Sequence, residues 1–388
     1  MLNKIKVPVA LQLRVDDVAW HNGSDDRYSS RPSRTGIPRK HVPADYQALH
    51  ELGKALDMKI CCSLVIGEWD KDNILRGVPH VTWDPDGWDR ASEIDMDSTY
   101  RSLEILEGSE YLEYMLHGLL HGYYDRGRLV IEEQYYPRVY DAAKGGYTDA
   151  WRRLSSEEFH RHLDLFFDIC RSWGMKKSVR SFSSPNGCRG TPEENAEYIR
   201  IMEEYGIHYW HNGGWHGYPD GVIADAAHGM ICCRGRILMP WNSFDVDPAL
   251  LPIQEKVPVD WACHWPNFLR WNPEHNLERI PAWADYFRRQ AEVFGVMLSK
   301  DIAFADSQGL YSQFAAVREA DGRCVIDLSA VDAKDAIGRK NEFYISVRGS
   351  AAPSAVSGGT LSLYETKSDF RTYRITRDGA AQVVLSLA

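Results

Sequence analysis

The chain contains 388 residues with a formal net charge of −10, and 44% of its residues are hydrophobic. An acidic balance of this size argues against the basic surface that nucleic-acid binding requires. No run approaches the roughly twenty apolar residues that cross a membrane. Residues 1–9 lack the apolar region and cleavage site of a secretory signal, and the eight cysteines include no CxxC pair and lie mostly in apolar runs. We therefore expect a globular cytoplasmic protein with buried free thiols.

Apolar segments alternate with helical patterns between residues 7 and 300. Such alternation predicts a parallel β-sheet covered by helices. The predicted strands are Val7–Val15, Met58–Ile66, Tyr111–Leu116, Lys176–Phe182, Gly206–His211, Arg236–Trp241 and Val259–His264. The predicted helices run from Pro43 to Asp57, from the Ser155–Glu158 capping box to Trp173, onward from Thr191-Pro192, and from about Ala282 to Leu298.

The pattern changes near residue 310. Short alternating segments follow, beginning with Tyr311–Val317, and Asp321-Gly322 and Asp378-Gly379 are typical hairpin turns. We predict two domains: an α/β domain over residues 1–309, with insertions at 70–98 and 122–152, and a small all-β, sandwich-like domain over residues 310–388.

Two histidines, His117 and His121, stand four residues apart at the end of the third predicted strand, and a glycine follows each. On a helix or in a tight turn this spacing places both imidazoles on one face, where they could share a metal ion. The pair alone is weak, because fourteen histidines in 388 residues produce this spacing by chance in about every other chain. Two histidines satisfied by local contacts are therefore the alternative, unless other residues complete a site.

Polar residues also follow the other predicted strands. In chain order they are Asp16, Asp17, Glu68, His117, His121, Asn186, His211, Asp245 and His264. In barrel folds the C-terminal ends of the parallel strands carry the chemistry. Asp17, His117 and His121 make a set of two histidines and one carboxylate, which leaves positions open for water and substrate as a catalytic zinc site requires.

Asp16 and His264 are the predicted catalytic residues beside this set. Asp16 would act as the base for metal-bound water, and His264 would protonate the leaving group. Neighbouring residues of a strand point to opposite faces. Asp16 and Asp17 therefore reach one site only if the alternation breaks at the end of their strand.

The order and spacing of these residues resemble the polysaccharide deacetylase (NodB-like) superfamily over roughly residues 7–300. The family's Asp-Asp pair after the first strand is matched by Asp16-Asp17, its His-x-x-x-His by His117 and His121, and its last histidine by His264. The resemblance implies a distorted (β/α)7 barrel and metal-dependent hydrolysis of an amide or ester. It implies Asp16 as the base, Asp17 and the two histidines of the third strand as ligands of a divalent ion, most simply Zn²⁺, and His264 as the general acid.

The third motif of the family is altered in this chain. The family has an arginine before a proline after the fourth strand, whereas Ser183 stands at that position before Ser184 and Pro185. Arg14 or Arg180 is the candidate replacement. Asp245 is the candidate for the aspartate that tunes His264.

Many tryptophans and tyrosines lie beside glycine, proline and aspartate in predicted loops, as in Trp83-Asp84-Pro85-Asp86-Gly87-Trp88. Aromatic rings in loops suit carbohydrate, since they stack on the apolar faces of sugars, and ordinary packing is the alternative. The residues predicted to contact substrate are Arg14, Glu68, Arg180, Asn186, Trp210, His211, Trp215, Asp245 and Trp265.

We therefore predict a metal-dependent hydrolase of the deacetylase type that acts on a carbohydrate or a small acylated substrate, with no nucleic-acid or membrane partner. Two alternatives stay open. A glycoside hydrolase on the same barrel would use Asp16 with Glu68 or Asp245 as acid and base. A carbohydrate-binding protein would keep the fold without the chemistry. Assembly into a homo-oligomer is open as well.

Overall fold

The computed structural model describes residues 4–19, 39–132, 134–185, 187–211, 222–225, 230–233, 236–237, 243–253, 260–334, 336–349 and 352–387. Within 222–225, 230–233, 236–237 and at 260 only the backbone is described. Asn186, Trp215 and residues 238–241 of the sixth predicted strand lie outside the described residues.

The strands are numbered in chain order. In the first part of the chain they are β1 (Ile5–Lys6), β2 (Ala10–Val18), β3 (Ile60–Val65), β4 (Leu112–Gly118), β5 (Tyr123–Asp125), β6 (Arg128–Ile131), β7 (Arg138–Asp141), β8 (Gly146–Trp151), β9 (Val179–Phe182), β10 (Tyr209–His211), β11 (Val222–Asp225), β12 (Met230–Cys233), β13 (Arg236–Ile237), β14 (Asp260–His264) and β15 (Met297–Leu298). In the last part they are β16 (Ala316–Ala320), β17 (Arg323–Asp327), β18 (Glu342–Arg348), β19 (Pro353–Ser357), β20 (Gly359–Thr366), β21 (Phe370–Arg377) and β22 (Gln382–Leu387).

The described helices are α1 (Pro43–Leu56), α2 (Met96–Gly108), α3 (Ser156–Ser172), α4 (Ala196–Glu204), α5 (Ile280–Phe294), α6 (Ile302–Phe314) and α7 (Ser329–Asp332). The capping box predicted for α3 is confirmed: the Glu158 amide donates to Ser155 Oγ at 3.1 Å, and the Ser155 amide donates to Glu158 Oε2 at 2.7 Å. Pro43 suits the first position of α1, because amide hydrogens in the first turn have no partner within the helix and proline has none.

A mostly parallel sheet organises the first part of the chain. Its strands follow the order β11, β12, β10, β9, β4, β3, β2, β14, β13, and each neighbouring pair is parallel except β11 with β12. The central strands β2 and β3 are buried along their whole length, as expected for strands covered on both faces. The parallel arrangement is confirmed, and closure into a (β/α)7 barrel is not seen among the described strands.

Helix α6 explains how the sheet curls. It contacts β2 on one arm of the sheet and β10, β11 and β12 on the other. Residues 302–311 of this helix are all buried, so the helix is enclosed on every side. The sheet therefore wraps around a helix that comes after all of its strands in the chain.

The last part of the chain forms two antiparallel sheets, in the orders β1-β18-β21-β20 and β16-β17-β22-β19. Apolar residues of both sheets, such as Phe343 and Ile375 of the first and Ile326 and Val383 of the second, share one core. Strand β1 pairs with β18 in the first of these two sheets, although it precedes the parallel sheet in the chain.

The strand predicted at Tyr311–Val317 is wrong, because residues up to Phe314 belong to α6 and the strand begins at Ala316. The expected domain boundary at residue 310 thus falls inside a helix. The pattern failed because a helix that is buried on every side, with the polar residues Asp306 and Gln308 also inside, has no exposed polar face to give an amphipathic period.

Two further helix predictions need correction. The helix predicted onward from Thr191-Pro192 begins at Ala196, because Thr191 to Asn195 form a turn before it. Helix α2 went unrecognised behind the polar stretch 70–98, although Asp95 caps it by accepting the Ser98 amide at 3.0 Å.

The two predicted insertions fold as local units. In the first, Asp70 accepts hydrogen bonds from the amides of Ile74 and Leu75 and from the indole of Trp88, at 2.7 to 2.9 Å. The second contains the hairpins β5–β6 and β7–β8.

The described helices and cysteines bear on two expectations, the lack of a membrane-spanning segment and the buried free thiols. None of the described helices is both long and apolar enough to cross a membrane. The cysteines whose side chains are described, Cys61, Cys62, Cys170, Cys188, Cys263 and Cys324, are free and buried.

One consequence for stability comes from His162 on α3. Burial lowers the pKa of His162 to about 4, while an unfolded histidine titrates near 6.5. As the pH falls below 6.5 the unfolded chain takes up a proton that the folded chain refuses, so the folded state loses stability. We expect this group to remove about 2 kcal/mol of unfolding free energy between pH 7 and pH 5.

The measurement is urea unfolding of the wild type and of His162→Phe at both pH values. The variant keeps an aromatic ring beside Tyr135, whose ring lies 6.1 Å from that of His162, and should show the smaller pH dependence. Equal pH dependence in the two proteins would contradict a buried neutral His162.

Candidate metal centre

The end of β2 is the first element of the site. The pairing of β2 with β3 shifts register between Val15 and Val18, and Asp17 adopts φ 66° in the left-handed region. Asparagine and aspartate tolerate this conformation better than most residues, but it still breaks the alternation of a strand. The side chains of Asp16 and Asp17 therefore reach the same cluster of histidines. This is the break in alternation that a shared site requires.

The two histidines come from the end of β4 and the turn that follows it. His121 adopts φ 54°, and Gly118 between the histidines adopts φ 112°, so the segment is a tight turn and not a helix. The two imidazole rings lie 5.0 Å apart at 64°. The turn is held from outside by the buried side chain of Gln134, whose Oε1 accepts the Leu119 amide at 3.1 Å.

Asp17, His117 and His121 bring one donor atom each to a common point. Oδ1 of Asp17 lies 3.5 Å from Nε2 of His117 and 3.5 Å from Nε2 of His121, and the three donor atoms all lie within 4.8 Å of one another. Zinc bonds of 2.0–2.2 Å in a tetrahedron separate donors by about 3.4 Å. The separations thus fit a tetrahedral ion better than they fit direct hydrogen bonds.

A second interaction orients one of the ligands. Nδ1 of His117 lies 2.7 Å from the carbonyl oxygen of Ser183. A carbonyl only accepts, so Nδ1 carries a proton and Nε2 is the nitrogen that faces Asp17. An imidazole fixed in this way by its outer nitrogen is the usual support for a metal ligand.

The carboxylates in this buried cluster require positive charge. Burial acts to raise the pKa of Asp17, but His121 and His117 outweigh it and hold the pKa well below its usual range. Burial likewise acts against a charged His117, but the carboxylates of Asp16 and Asp17 raise its pKa. Among the described residues Asp17 Oδ1, Asp17 Oδ2 and His117 Nε2 have no hydrogen bond of good geometry. The same field that attracts protons here would attract a cation.

Asp16 is held by an arginine of its own strand. Nη1 of Arg14 lies 3.3 Å from Oδ2 of Asp16, and the same nitrogen donates to Oγ of Ser183. Burial acts to raise the pKa of Asp16, but Arg14, followed by His117 and His264, lowers it below its usual value. Arg14 is two residues from Asp16, so both side chains project from one face of β2.

Arg180, the other candidate for the altered third motif, lies elsewhere. It is exposed, and its guanidinium donates to the hydroxyl of Tyr209 at 3.2 Å. Ser183, which replaces the expected arginine, instead supplies two contacts to the site, its hydroxyl to Arg14 and its carbonyl to His117.

His264 lies beside Asp16 in the sheet. The two residues are register partners on the neighbouring parallel strands β14 and β2. The His264 amide donates to Oδ1 of Asn267 at 2.9 Å, which fixes the turn after the strand. His264 is partly exposed, and it helps to lower the pKa of both Asp16 and Asp17. A partly exposed imidazole next to a buried carboxylate is suited to proton transfer at the opening of the site.

The two carboxylates considered as partners of Asp16 are engaged by arginines. Glu68 is buried, and its Oε1 lies 2.6 Å from Nη2 of Arg90. Asp245 is exposed, with Oδ1 lying 3.0 Å from Arg270 and 3.7 Å from Arg279. No described contact joins either carboxylate to Asp16, and none joins Asp245 to His264.

Three aromatic residues expected at the substrate cleft are fully buried instead. The indole of Trp210 donates to Sγ of Cys188 at 2.8 Å, and the ring of Trp265 stacks on that of His41 at 3.9 Å. His211 is also fully buried, with Nε2 lying 2.9 Å from Oδ1 of Asp306 on α6. These side chains belong to the core, so their prediction as substrate contacts is corrected.

Comparison with known proteins gives a distant likeness. The chain matches no protein-family model and no curated protein. Among solved structures it is similar to a family 4 carbohydrate esterase from Streptomyces lividans in complex with acetate, with 11% identity over 75% of this chain and 92% of that chain and a TM-score of 0.33. It is also similar to a CE4 family pseudoenzyme from Bacillus anthracis (14% identity, 77% and 66% coverage, TM-score 0.39) and to a 4-α-glucanotransferase from Thermococcus litoralis (11% identity, 76% and 39% coverage, TM-score 0.35).

The contact between Arg14 and Asp16 can be measured without an activity assay. Arg14→Gln leaves Asp16 buried without its cation and should lower the unfolding free energy by roughly 3 kcal/mol. Adding Asp16→Asn should recover part of that loss, with a coupling of at least about 1 kcal/mol in the double-mutant cycle. Arg180→Gln, which removes an exposed guanidinium, is the control and should change stability by less than about 0.5 kcal/mol. Additive effects of the two site substitutions would show that Arg14 does not hold Asp16.

Proposed function

We propose that the protein is a metal-dependent hydrolase that removes an acyl group from a carbohydrate. The observation that carries the proposal is the convergence of Asp17, His117 and His121 at one buried point, with Asp16 and His264 beside it at the same edge of a parallel sheet. Two imidazoles and one carboxylate suit zinc best among the common divalent ions. The resemblance in the order of these residues to the polysaccharide deacetylases supports the acyl substrate.

A bound divalent ion would supply a water of lowered pKa and polarise the acyl carbonyl. Asp17, His117 and His121 would hold the ion, and the carbonyl of Ser183 would keep His117 in the ligating tautomer. Asp16 would take the proton of the attacking water, because Arg14 keeps this carboxyl ionised and turned into the site. His264, partly exposed at the opening, would give a proton to the leaving nitrogen or oxygen as the bond to the acyl carbon breaks.

Removing a ligand should remove the metal. We expect His117→Ala and His121→Ala each to weaken zinc binding by more than about 100-fold, since each deletes one of three protein ligands. Elemental analysis and zinc titration of the purified proteins measure this, and circular dichroism checks that the fold persists. His50→Ala is the control, because that imidazole lies outside the cluster and contacts Ser109 at 2.8 Å. Normal zinc content in either site variant would refute the ligand assignment.

Removing the base should spare the metal and stop the reaction. We expect Asp16→Asn to keep zinc while kcat for release of acetate from acetylated sugars falls roughly 100- to 10,000-fold. Chelation of the wild type should abolish the same activity, and added zinc should restore it. Activity that survives full chelation would favour a glycoside hydrolase, and sugar binding without any turnover would favour a carbohydrate-binding protein.

A further inference from the structure

A cavity of about 660 Å³ lies where the antiparallel sheet β1-β18-β21-β20 meets the ends of α5 and α6. Its lining includes Lys4 and Lys6 near the N-terminus, Ser346 and Arg348 of β18, and Phe370 of β21. We call it the basic cavity, because the described residues that line it include three cations and no carboxylate. In a chain with a net charge of −10, this local excess of positive charge is suited to a negatively charged ligand.

The register of the strands places the polar side chains on one face of the sheet. Lys6 is the partner of Ser346, and Ser346 is the partner of Thr372, in a row across β1, β18 and β21. Arg348 follows Ser346 by two residues, so both side chains project from the same face. Val347 between them points the other way, into the core shared by the two antiparallel sheets. The sheet therefore turns an apolar face to its own core and a polar face to the cavity.

The three cations of the basic cavity are available to a ligand. Lys4, Lys6 and Arg348 are exposed, and no ion pair joins any of them to a carboxylate in the described part of the chain. Glu319 on β16 approaches the same edge, but its Oε1 accepts the amide of Ile5 at 2.7 Å. Like charges gathered around one cavity repel one another, and a bound anion would relieve that repulsion.

A buried hydroxyl of the cavity also lacks a partner. Ser346 is only 5% exposed and lines the cavity, and its Oγ has no hydrogen bond among the described residues. The same holds for Oγ1 of Thr372, its fully buried neighbour on β21. Buried hydroxyl groups are nearly always hydrogen-bonded. An acceptor oxygen that enters the cavity would supply the missing partner.

The walls of the cavity indicate the chemistry of the ligand. The planar guanidinium of Arg348 can hold a carboxylate or phosphate through two parallel hydrogen bonds, and the lysines add compact charges. Three cations match a group with two negative charges better than a group with one. Val7 and the ring of Phe370 supply apolar surface beside them. The volume lies within the roughly 300–1,000 Å³ that is usual for sites of small molecules.

We propose that the basic cavity binds a small dianion, either a phosphate monoester or a dicarboxylate. The charged group would contact Lys4, Lys6, Arg348 and the hydroxyl of Ser346, and an apolar part of the ligand would lie against Phe370. The inference is independent of the proposed function, because no residue of the candidate metal centre lines this cavity. The ligand would join β1 to the last part of the chain and stabilise the folded protein by mass action.

Calorimetric titration of the wild type in about 150 mM salt tests the proposal with four probes: inorganic phosphate, phenyl phosphate, succinate and neutral benzyl alcohol. We expect at least one dianion to bind with a Kd below about 1 mM, and benzyl alcohol not to bind. Arg348→Gln should weaken binding of the dianion at least about tenfold, and Lys6→Gln several-fold. Arg374→Gln, which removes an exposed arginine of β21 outside the cavity, is the control and should bind as the wild type does.

Ser346→Ala separates binding from folding. Because its hydroxyl has no partner to lose, the variant should unfold at the wild-type temperature or above, yet bind the dianion roughly three- to tenfold more weakly. A preference for phenyl phosphate would identify the ligand as a phosphate monoester, and a preference for succinate would identify it as a dicarboxylate.

Three results would overturn the proposal. One is that no dianion binds at concentrations up to about 10 mM. Another is equal binding by Arg348→Gln and the Arg374→Gln control, which would show unspecific attraction to the surface. The third is binding that His264→Ala abolishes and Arg348→Gln preserves, since the anion would then occupy the candidate metal centre. Thermal unfolding of each variant verifies that it is folded.

Discussion

The candidate site depends on one backbone conformation, the left-handed turn at Asp17. In a regular strand Asp16 and Asp17 would face opposite sides of the sheet, and only one of them could meet the histidines of β4. The register shift between Val15 and Val18 and the φ of 66° at Asp17 remove that restriction. A conformation of this kind costs on the order of 1–3 kcal/mol and persists only where the surroundings enforce it. Here β3 pairs with the strand before and after the break, at Val15 and Val18, and β14 pairs with it up to Asp16.

The second requirement is the balance of buried charge. Asp16 and Asp17 are adjacent carboxylates, each nearly removed from water, and neither would stay ionised without nearby positive charge. Arg14 provides a permanent cation 3.3 Å from Asp16, whereas the imidazoles around Asp17 carry charge only when protonated. The two carboxylates are therefore distinguished by their neighbours. One is stabilised as a fixed anion that can accept a proton, and the other is left to the histidines and whatever cation they bind.

The residues of this cluster could be named from spacing and strand order, but their geometry could not. The sequence indicated Asp16, Asp17, His117 and His121, because parallel strands bring their C-terminal ends to one edge. The break at Asp17 has no signature of its own. The alternation of side chains along a strand could have distinguished the two candidate arginines. Arg14 is two residues from Asp16 and shares its face, whereas Arg180 is three residues from Ser183 and points to the other face.

Other expectations failed because packing outweighed chemistry. The loop positions of Trp210 and Trp265 predict substrate contacts, yet large apolar side chains next to buried strands fill the core more often than they line a cleft. Glu68 forms an ion pair with Arg90, which lies 22 positions further along the chain in a polar stretch without a recognisable contact pattern. Such long-range ion pairs leave no local pattern in a sequence.

The position of helix α6 in the chain affects folding during synthesis on the ribosome. The parallel sheet curls around a helix that is synthesised after every one of its main strands, and β1, the first strand to emerge, waits for β18 before it has a neighbour. A nascent chain that has completed β14 still lacks the helix that fills its interior. The buried face that α6 covers, with Cys61, Met115 and Tyr209, stays open until then. The protein therefore completes its interior late, and a premature stop anywhere before residue 302 leaves an exposed apolar hollow that invites chaperones and aggregation.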